Sequence, residues 1–176
     1  MDKAGGTMDR DAYTIRKLGQ ADLAAALELV WSVFSAFEAP DYSEQGVASF
    51  RAFLDEPALR RRVESGDMSF WGCYSVDGEM LLGTLAVRDV SHICLLFVAG
   101  AHHREGIGRR LFEAALADCR EQDSDIRQFT VHSSPCAADF YRHLGFVDTD
   151  VEQCSDGIRF IPMRLVLSPR PGCPLC

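Results

Sequence analysis

The sequence predicts a mixed α/β fold, one sheet with helices on its faces, from three observations. Short segments with alternating or continuous apolar residues recur along the chain at strand length. Between them lie segments whose apolar residues return every three or four positions. A pair of glycines, Gly106 and Gly108, opens one of these helical segments directly after an apolar strand. The expected order is β-α-α-β-β-β-α-β-α-β-β. With 176 residues, the chain is long enough for one domain with a full core, placed at residues 12–168.

Residues 1–11 are small and polar and are expected to be a disordered extension. Tyr13–Leu18 alternates as a strand. Leu23, Leu27, Val30, Trp31 and Phe34 mark a helix from Ala21 to about Ala36. After a loop at residues 37–42, Ser43 caps a second helix with Val47, Phe50 and Leu54 on one face, and Pro57 starts a shorter helical piece ending by Gly66. Ser69–Val76 and Glu79–Val87 are expected as strands joined at Asp77-Gly78, a strong hairpin signal. His92–Val98 is continuously apolar after its first residue, as in a central strand buried on both faces. Ile107–Glu121 then carries Ile107, Leu111, Ala115 and Cys119 on one side. Ile126–His132 is the next strand, Ser134-Pro135 starts a short helix with Cys136, Phe140 and Leu144 as its buried stripe, and Gly145 ends it. Phe146–Val151 and Arg159–Leu167 complete the sheet, with Gly157 between them; Pro162 suggests an edge or a bulge in the last strand.

A net charge of −8 argues against nucleic acid as a partner, because phosphate backbones need a basic face. It is compatible with a cationic or amine substrate, although net charge governs steering rather than identity. No apolar run approaches membrane length, so no membrane span is expected. Seven cysteines scattered through strands and helices fit reduced thiols and a cytoplasmic location. Cys173 and Cys176 at residues 169–176 form a lone CxxC, which lacks the second pair zinc requires and fits a prenylation box poorly; a frayed tail is expected. His102, His132, His143 and Cys136 show no repeated ligand spacing, and no metal is expected.

The segment Leu96-Phe97-Val98-Ala-Gly-Ala-His-His103-Arg104-Glu105-Gly106-Ile107-Gly108-Arg109 carries the functional signal. A helix start presents unpaired N–H groups and the positive end of the macrodipole, and glycines there let a phosphate reach the backbone. A Walker loop is excluded by the lack of Gly-Lys-Ser/Thr, and a dinucleotide fingerprint by Leu111 where a third glycine belongs. The segment resembles motif A of the GNAT superfamily of acyl-CoA-dependent N-acyltransferases, Gln/Arg-x-x-Gly-x-Gly/Ala. His103 stands where Gln or Arg is usual, and Arg104 is an alternative cation. Val131-His-Ser-Ser-Pro-Cys-Ala-Ala-Asp-Phe-Tyr141-Arg-His-Leu-Gly-Phe146 resembles the family's motif B, which ends Tyr-x-x-x-Gly-Phe. The resemblance extends from Tyr13 to about Leu167 and implies the GNAT fold, a mostly antiparallel mixed sheet.

It further implies acetyl-CoA as co-substrate and transfer of its acetyl group to a primary amine by direct attack in a ternary complex. The pyrophosphate would lie on residues 103–109, and the backbone of Leu96 to Val98 would meet the pantetheine arm and acetyl carbonyl. Tyr141 matches the general acid toward sulfur, since a phenol with pKa near ~10 is protonated at neutral pH. His92 occupies the position of a base on the central strand, acting directly or through water. Glu38 and Asp41, in the loop where the family often binds acceptors, compete for that role, form a rim for a cationic amine, or are ordinary loop acids. Ser134 stands where Asn often contacts pantetheine, and is also a helix cap. Cys94, buried in the central strand, is not expected to be a nucleophile. A small amine or a peptide is the expected acceptor, and a homodimer is compatible with the chain. The rival functions are a catalytically silent acyl-CoA-binding module and acetylation of protein N-termini or lysines.

Overall fold

The computed structural model describes residues 13–169; the expectations for residues 1–11 and for Cys173 and Cys176 fall outside them. The elements are β1 (Tyr13–Lys17), α1 (Leu23–Phe37), α2 (Glu44–Phe53), α3 (Glu56–Glu64), β2 (Met68–Ser75), β3 (Leu81–Arg88) and β4 (His92–Val98). They continue with α4 (Ile107–Gln122), β5 (Gln128–Ser133), α5 (Ala138–His143), β6 (Val147–Asp148), β7 (Gln153–Ser155) and β8 (Ile158–Val166). The sheet runs β1-β2-β3-β4-β5-β8-β6, with β7 also paired to β8. Every neighbouring pair is antiparallel except β4 and β5.

Apolar layers cover both faces. Ile107, Leu111, Phe112, Ala115 and Cys119 of α4 pack on Leu85, Ile93 and Phe129. On the other face Leu23, Val30 and Leu59 of α1 and α3 meet Phe70, Ala86 and Leu95. β4 therefore contributes to both layers, as its unbroken apolar run predicts.

Its alternation breaks once. Ile93 and Leu96 belong to the α4 layer, whereas Cys94 and Leu95 both belong to the opposite one. Val87 pairs with Ile93 and Ala86 with Leu95, so Cys94 is the extra residue of a bulge, and a bulge bends its strand. β4 and β5 stay in register only at His92↔Thr130 and Ile93↔Val131. Beyond that point they splay, while β5 remains paired with β8 as far as Ser133.

Four local expectations change. Asp77-Gly78 does not make a two-residue hairpin: Gly78 N–H donates to Ser75 O (2.8 Å) and Ser75 N–H to Met80 O (2.9 Å), closing a longer loop. The tight hairpin lies instead at Asp156-Gly157, where both residues have positive φ (51° and 78°) between paired Ser155 and Ile158, as a type I′ turn requires. The strand expected at Phe146–Val151 is only Val147–Asp148, and β7 was not anticipated. Pro162 is not on an edge, since β8 lies between β5 and β6; its position coincides with the gap between β6 and β7, where no ladder N–H is needed. In the short helix Cys136 is exposed and Tyr141 is buried, because residues 135–137 form a 3-10 turn that shifts the phase of the stripe.

Candidate active site

The opening between β4 and β5 joins two cavities. One, of about 850 Å³, is lined by Leu96, Phe97, Val98, the loop at 102–104, Gly106, Ile107, Gly108, Arg109 and α5. The other, of about 750 Å³, lies among α2, α3, the first half of β4 and the β7–β8 turn. Glu38, Leu96, Phe97, Ala137 and Tyr141 line both, so they mark the junction. Ala99 N–H donates to Leu82 O at 2.8 Å, which turns Ala99 and Phe97 toward β3. By strand alternation the backbone of Leu96 and Val98 faces the opening.

The glycine loop is shaped as an anion cradle. Arg104 and Gly106 both have positive φ (66° and 79°). For Arg104 that is a strained conformation, held by its surroundings, and for Gly106 it costs nothing. Such turns point successive N–H groups at one concave spot, here at the first turn of a 16-residue helix. Arg104 and Arg109 line the cavity beside it, and Arg109 also donates to His143 O at 3.2 Å. Three positions of the loop also have partners within the fold. The His103 imidazole bonds Val98 O (2.7 Å) and packs on Phe37, so it braces the loop against β4. Glu105 accepts from Tyr13 Oη and pairs with His102 Nδ1, which ties its carboxylate to the loop's own frame. At Gly108 an added Cβ would stand 3.1 Å from the Phe140 ring, so this glycine admits α5 as much as any ligand.

At the junction, Glu38 follows the last turn of α1, where its N–H donates to Phe34 O (2.9 Å). Burial pushes its carboxyl pKa up, while hydrogen bonds with Ser134 and Cys136 oppose the shift. A carboxylate beside a helix C-terminus is also disfavoured by the macrodipole. Tyr141 is buried between Phe140 and Phe146, with ring centroids 5.2 and 5.4 Å away. Burial and the neighbouring Glu38 charge push its phenol above the ordinary value, so it stays protonated. Ser134 makes no side-chain cap; its hydroxyl lies 3.3 Å from Cys136 Sγ and lines the second cavity, not the one beside the glycine loop.

His92 lies at the far end of the second cavity. Its Nδ1 is 2.8 Å from Thr130 Oγ1, and its ring meets His132 edge-on at 5.2 Å. Burial, helped by Arg88 and His132, depresses its pKa from 6.5 to about 4, so it is neutral at physiological pH. Cys94 is only partly buried and lines this cavity; burial raises its thiol to about 12, which suppresses the thiolate. Asp41 is exposed and lines neither cavity. His132 stacks on Phe160, His143 bonds Asp139 O and His102 meets Glu105, so the histidines and Cys136 occupy separate places.

The sequence did not point to the strap that roofs the second cavity. Tyr42 Oη donates to Arg159 O (3.1 Å) and Ser49 Oγ to Asp156 O (2.8 Å). Gly46 approaches Gly157 so closely that an added Cβ would lie 2.2 Å from the Gly157 oxygen. Arg62 and Arg88, also unanticipated, line the cavity. Gly46 and Gly157 were the only legible signals for these features, and their pairing is non-local.

Solved structures share this architecture. A GCN5-related N-acetyltransferase from Rhodopseudomonas palustris is 19% identical, with a TM-score of 0.74 over 89% of this chain and 96% of that one. The PaiA N-acetyltransferase from Thermoplasma acidophilum, in complex with coenzyme A, is 23% identical (TM-score 0.72; 89% and 99% covered). The spermidine N-acetyltransferase from Vibrio cholerae, in complex with CoA and spermine, is 18% identical (TM-score 0.63; 91% and 98% covered). A family model described as an acetyltransferase (GNAT) domain matches residues 38–167, which hold the glycine loop, the splayed strands and the lining of both cavities apart from Val33 and Phe37. The chain belongs to the GNAT acetyltransferase family.

Proposed function

We propose that the protein transfers the acetyl group of acetyl-CoA to a primary amine of a small molecule, by direct attack in a ternary complex. The observation that carries this is the meeting of two cavities at Glu38 and Tyr141, through a gap that only the splayed β4 and β5 create. Acetyl-CoA fits the cavity beside the glycine loop. Its diphosphate suits the N–H groups at the start of α4 and the cations Arg104 and Arg109, and its pantetheine arm suits the backbone of Leu96 and the N–H of Val98, whose carbonyl is engaged by His103. The thioester then reaches the junction, and the amine arrives from the other side.

An ammonium must lose a proton before it can attack. We assign that proton to Glu38 rather than to His92, because Glu38 stands at the junction and its raised pKa makes it the stronger base. The nitrogen forms a bond to the acetyl carbon, and the carbonyl oxygen takes the negative charge. Collapse of that intermediate breaks the carbon–sulfur bond. The attacking nitrogen, still carrying two protons, releases one to solvent to become the amide; Tyr141 donates its proton to the departing sulfur and takes one back from solvent, and Glu38 returns its proton to solvent. Main-chain N–H groups facing the opening are the available oxyanion donors.

The strap supports a small acceptor over a peptide. Residues 42–49 and 156–159 touch directly, so the second cavity is roofed where an extended chain would have to run. Thermal unfolding with and without acetyl-CoA tests the co-substrate. Millimolar acetyl-CoA should raise Tm, and Gly106→Ala, which forces an L side chain to φ near 79°, should weaken the effect. No stabilisation of the wild-type protein at that concentration would refute the proposal.

A further inference from the structure

We infer that the acceptor cavity holds an anion subsite made by Arg62 and Arg88, at the end remote from Glu38. The acceptor is then a primary amine bearing a carboxylate or phosphate several bonds from its nitrogen. This rests on the acceptor role proposed above for that cavity.

The cavity's charge runs against that of the chain. It is lined by three arginines, Arg62, Arg88 and Arg159, against two acids, Glu38 and Asp156, in a protein of net charge −8. Arg159 is committed elsewhere, its Nε 2.6 Å from Glu152. Arg88 meets Asp89 through one nitrogen at 3.3 Å, which leaves the rest of its guanidinium fork available. Among the described residues no carboxylate lies within ion-pair distance of Arg62, whose charge is felt by Cys94 together with that of Arg88. The C-terminal end of α3 attracts Arg62 but supplies only a partial charge. Two cations converging on one wall of a half-enclosed cavity are a site for an anion, and the neutral imidazoles of His92 and His132 beside them can add N–H donors.

Position fixes the length of the ligand. Arg88 pairs with His92 at the start of β4, whereas Glu38 sits with Leu96 and Phe97 near its end. At ~3.3 Å per residue, His92 and Leu96 are at most about 13 Å apart along the strand, a span that the bulge at Cys94 and the arginine side chains shorten. An α-amino acid, with one carbon between its charges, cannot touch both ends. A six-carbon ω-amino acid can. A diamine would bring its second cation against the arginines.

The test measures CoA-thiol release with acetyl-CoA and four acceptors: 6-aminohexanoate, 6-aminohexyl phosphate, hexylamine and 1,6-diaminohexane. Calorimetry of 6-aminohexanoate binding runs in parallel. The wild type should prefer the anionic acceptors over hexylamine by about tenfold or more in kcat/KM, with 1,6-diaminohexane poorest. The two anionic arms separate carboxylate from phosphate. Arg62→Met and Arg88→Met should each collapse the preference toward unity, and Arg62→Lys should restore part of it. Equal use of hexylamine and the anionic acceptors, or preference for the diamine, overturns the subsite while leaving acetyl transfer standing. If no acceptor releases thiol, binding of 6-aminohexanoate that Arg62→Met abolishes keeps the subsite and rejects the transfer; absence of binding rejects the subsite.

Discussion

Gly46→Ala sets helix propensity against tertiary packing, and the two predict opposite signs. Gly46 lies inside α2, where alanine is favoured over glycine by about 1 kcal/mol. Taken alone, that substitution stabilises the protein. In the folded chain the new methyl would stand 2.2 Å from the Gly157 oxygen and 2.8 Å from its carbonyl carbon. Both atoms are backbone in a tight turn, so α2 must retreat from the β7–β8 hairpin by about 1 Å to restore ordinary contact. Overpacking of this kind costs about 1–3 kcal/mol, and loosening the Tyr42 and Ser49 bonds to residues 159 and 156 costs about 1 kcal/mol each. Net of the helix gain, the variant should lose about 3 kcal/mol, which lowers Tm by about 6–12 °C for a chain of this size. Differential scanning calorimetry reads the stability. Acceptor KM should rise, because the roof of the second cavity moves, while acetyl-CoA affinity should hold. A Tm equal to or above that of the wild type, with unaltered acceptor KM, would refute the strap.

Glu38→Gln keeps the amide within reach of Ser134 and Cys136 but removes the base; kcat/KM should fall by about 10²–10⁴-fold. In the wild type, activity should drop as pH falls through a Glu38 pKa above the ordinary 4.5, and that acid limb should vanish in the variant. Tyr141→Phe should lower kcat by about 10²-fold with little change in acetyl-CoA affinity; an unchanged rate removes the hydroxyl from the mechanism. His92 should govern stability rather than rate. Its folded pKa of about 4 lies below the ordinary 6.5, so the unfolded chain binds more protons between these values and stability falls as pH drops through that window. His132, also depressed, acts in the same direction. Tm against pH should therefore be flatter in His92→Gln from pH 6.5 to 4, and parallel profiles would contradict the assignment.

Much of the fold was legible because helix and strand periodicity are local. The α4 stripe of Ile107, Leu111, Ala115 and Cys119 is buried as read, Ser43 caps α2 by accepting from Gly46 N–H (3.1 Å), and β4 is covered on both faces. The helix start at Gly106 was equally plain, since the apolar stripe of α4 begins at the next residue. The junction was far less legible. Glu38 looked like one loop acid among several, and nothing near it in sequence distinguishes it from Asp41. One lies between two cavities and the other is exposed, because the end of α1 directs position 38 toward Ser134 and Tyr141 about a hundred residues away.

The two Asp-Gly pairs show where the boundary falls. The sequence by itself determined that both would turn the chain, since glycine tolerates positive φ and aspartate bonds its own backbone. Only the tertiary structure decided that Asp77-Gly78 lies in a longer loop while Asp156-Gly157 makes the tight turn, seated against Gly46. The same division holds for the chemistry. Local pattern set which residues could bind a phosphate or donate a proton. Burial, charge proximity and the bulge at Cys94 depend on partners far away in the chain, and those set which groups meet at the gap between β4 and β5.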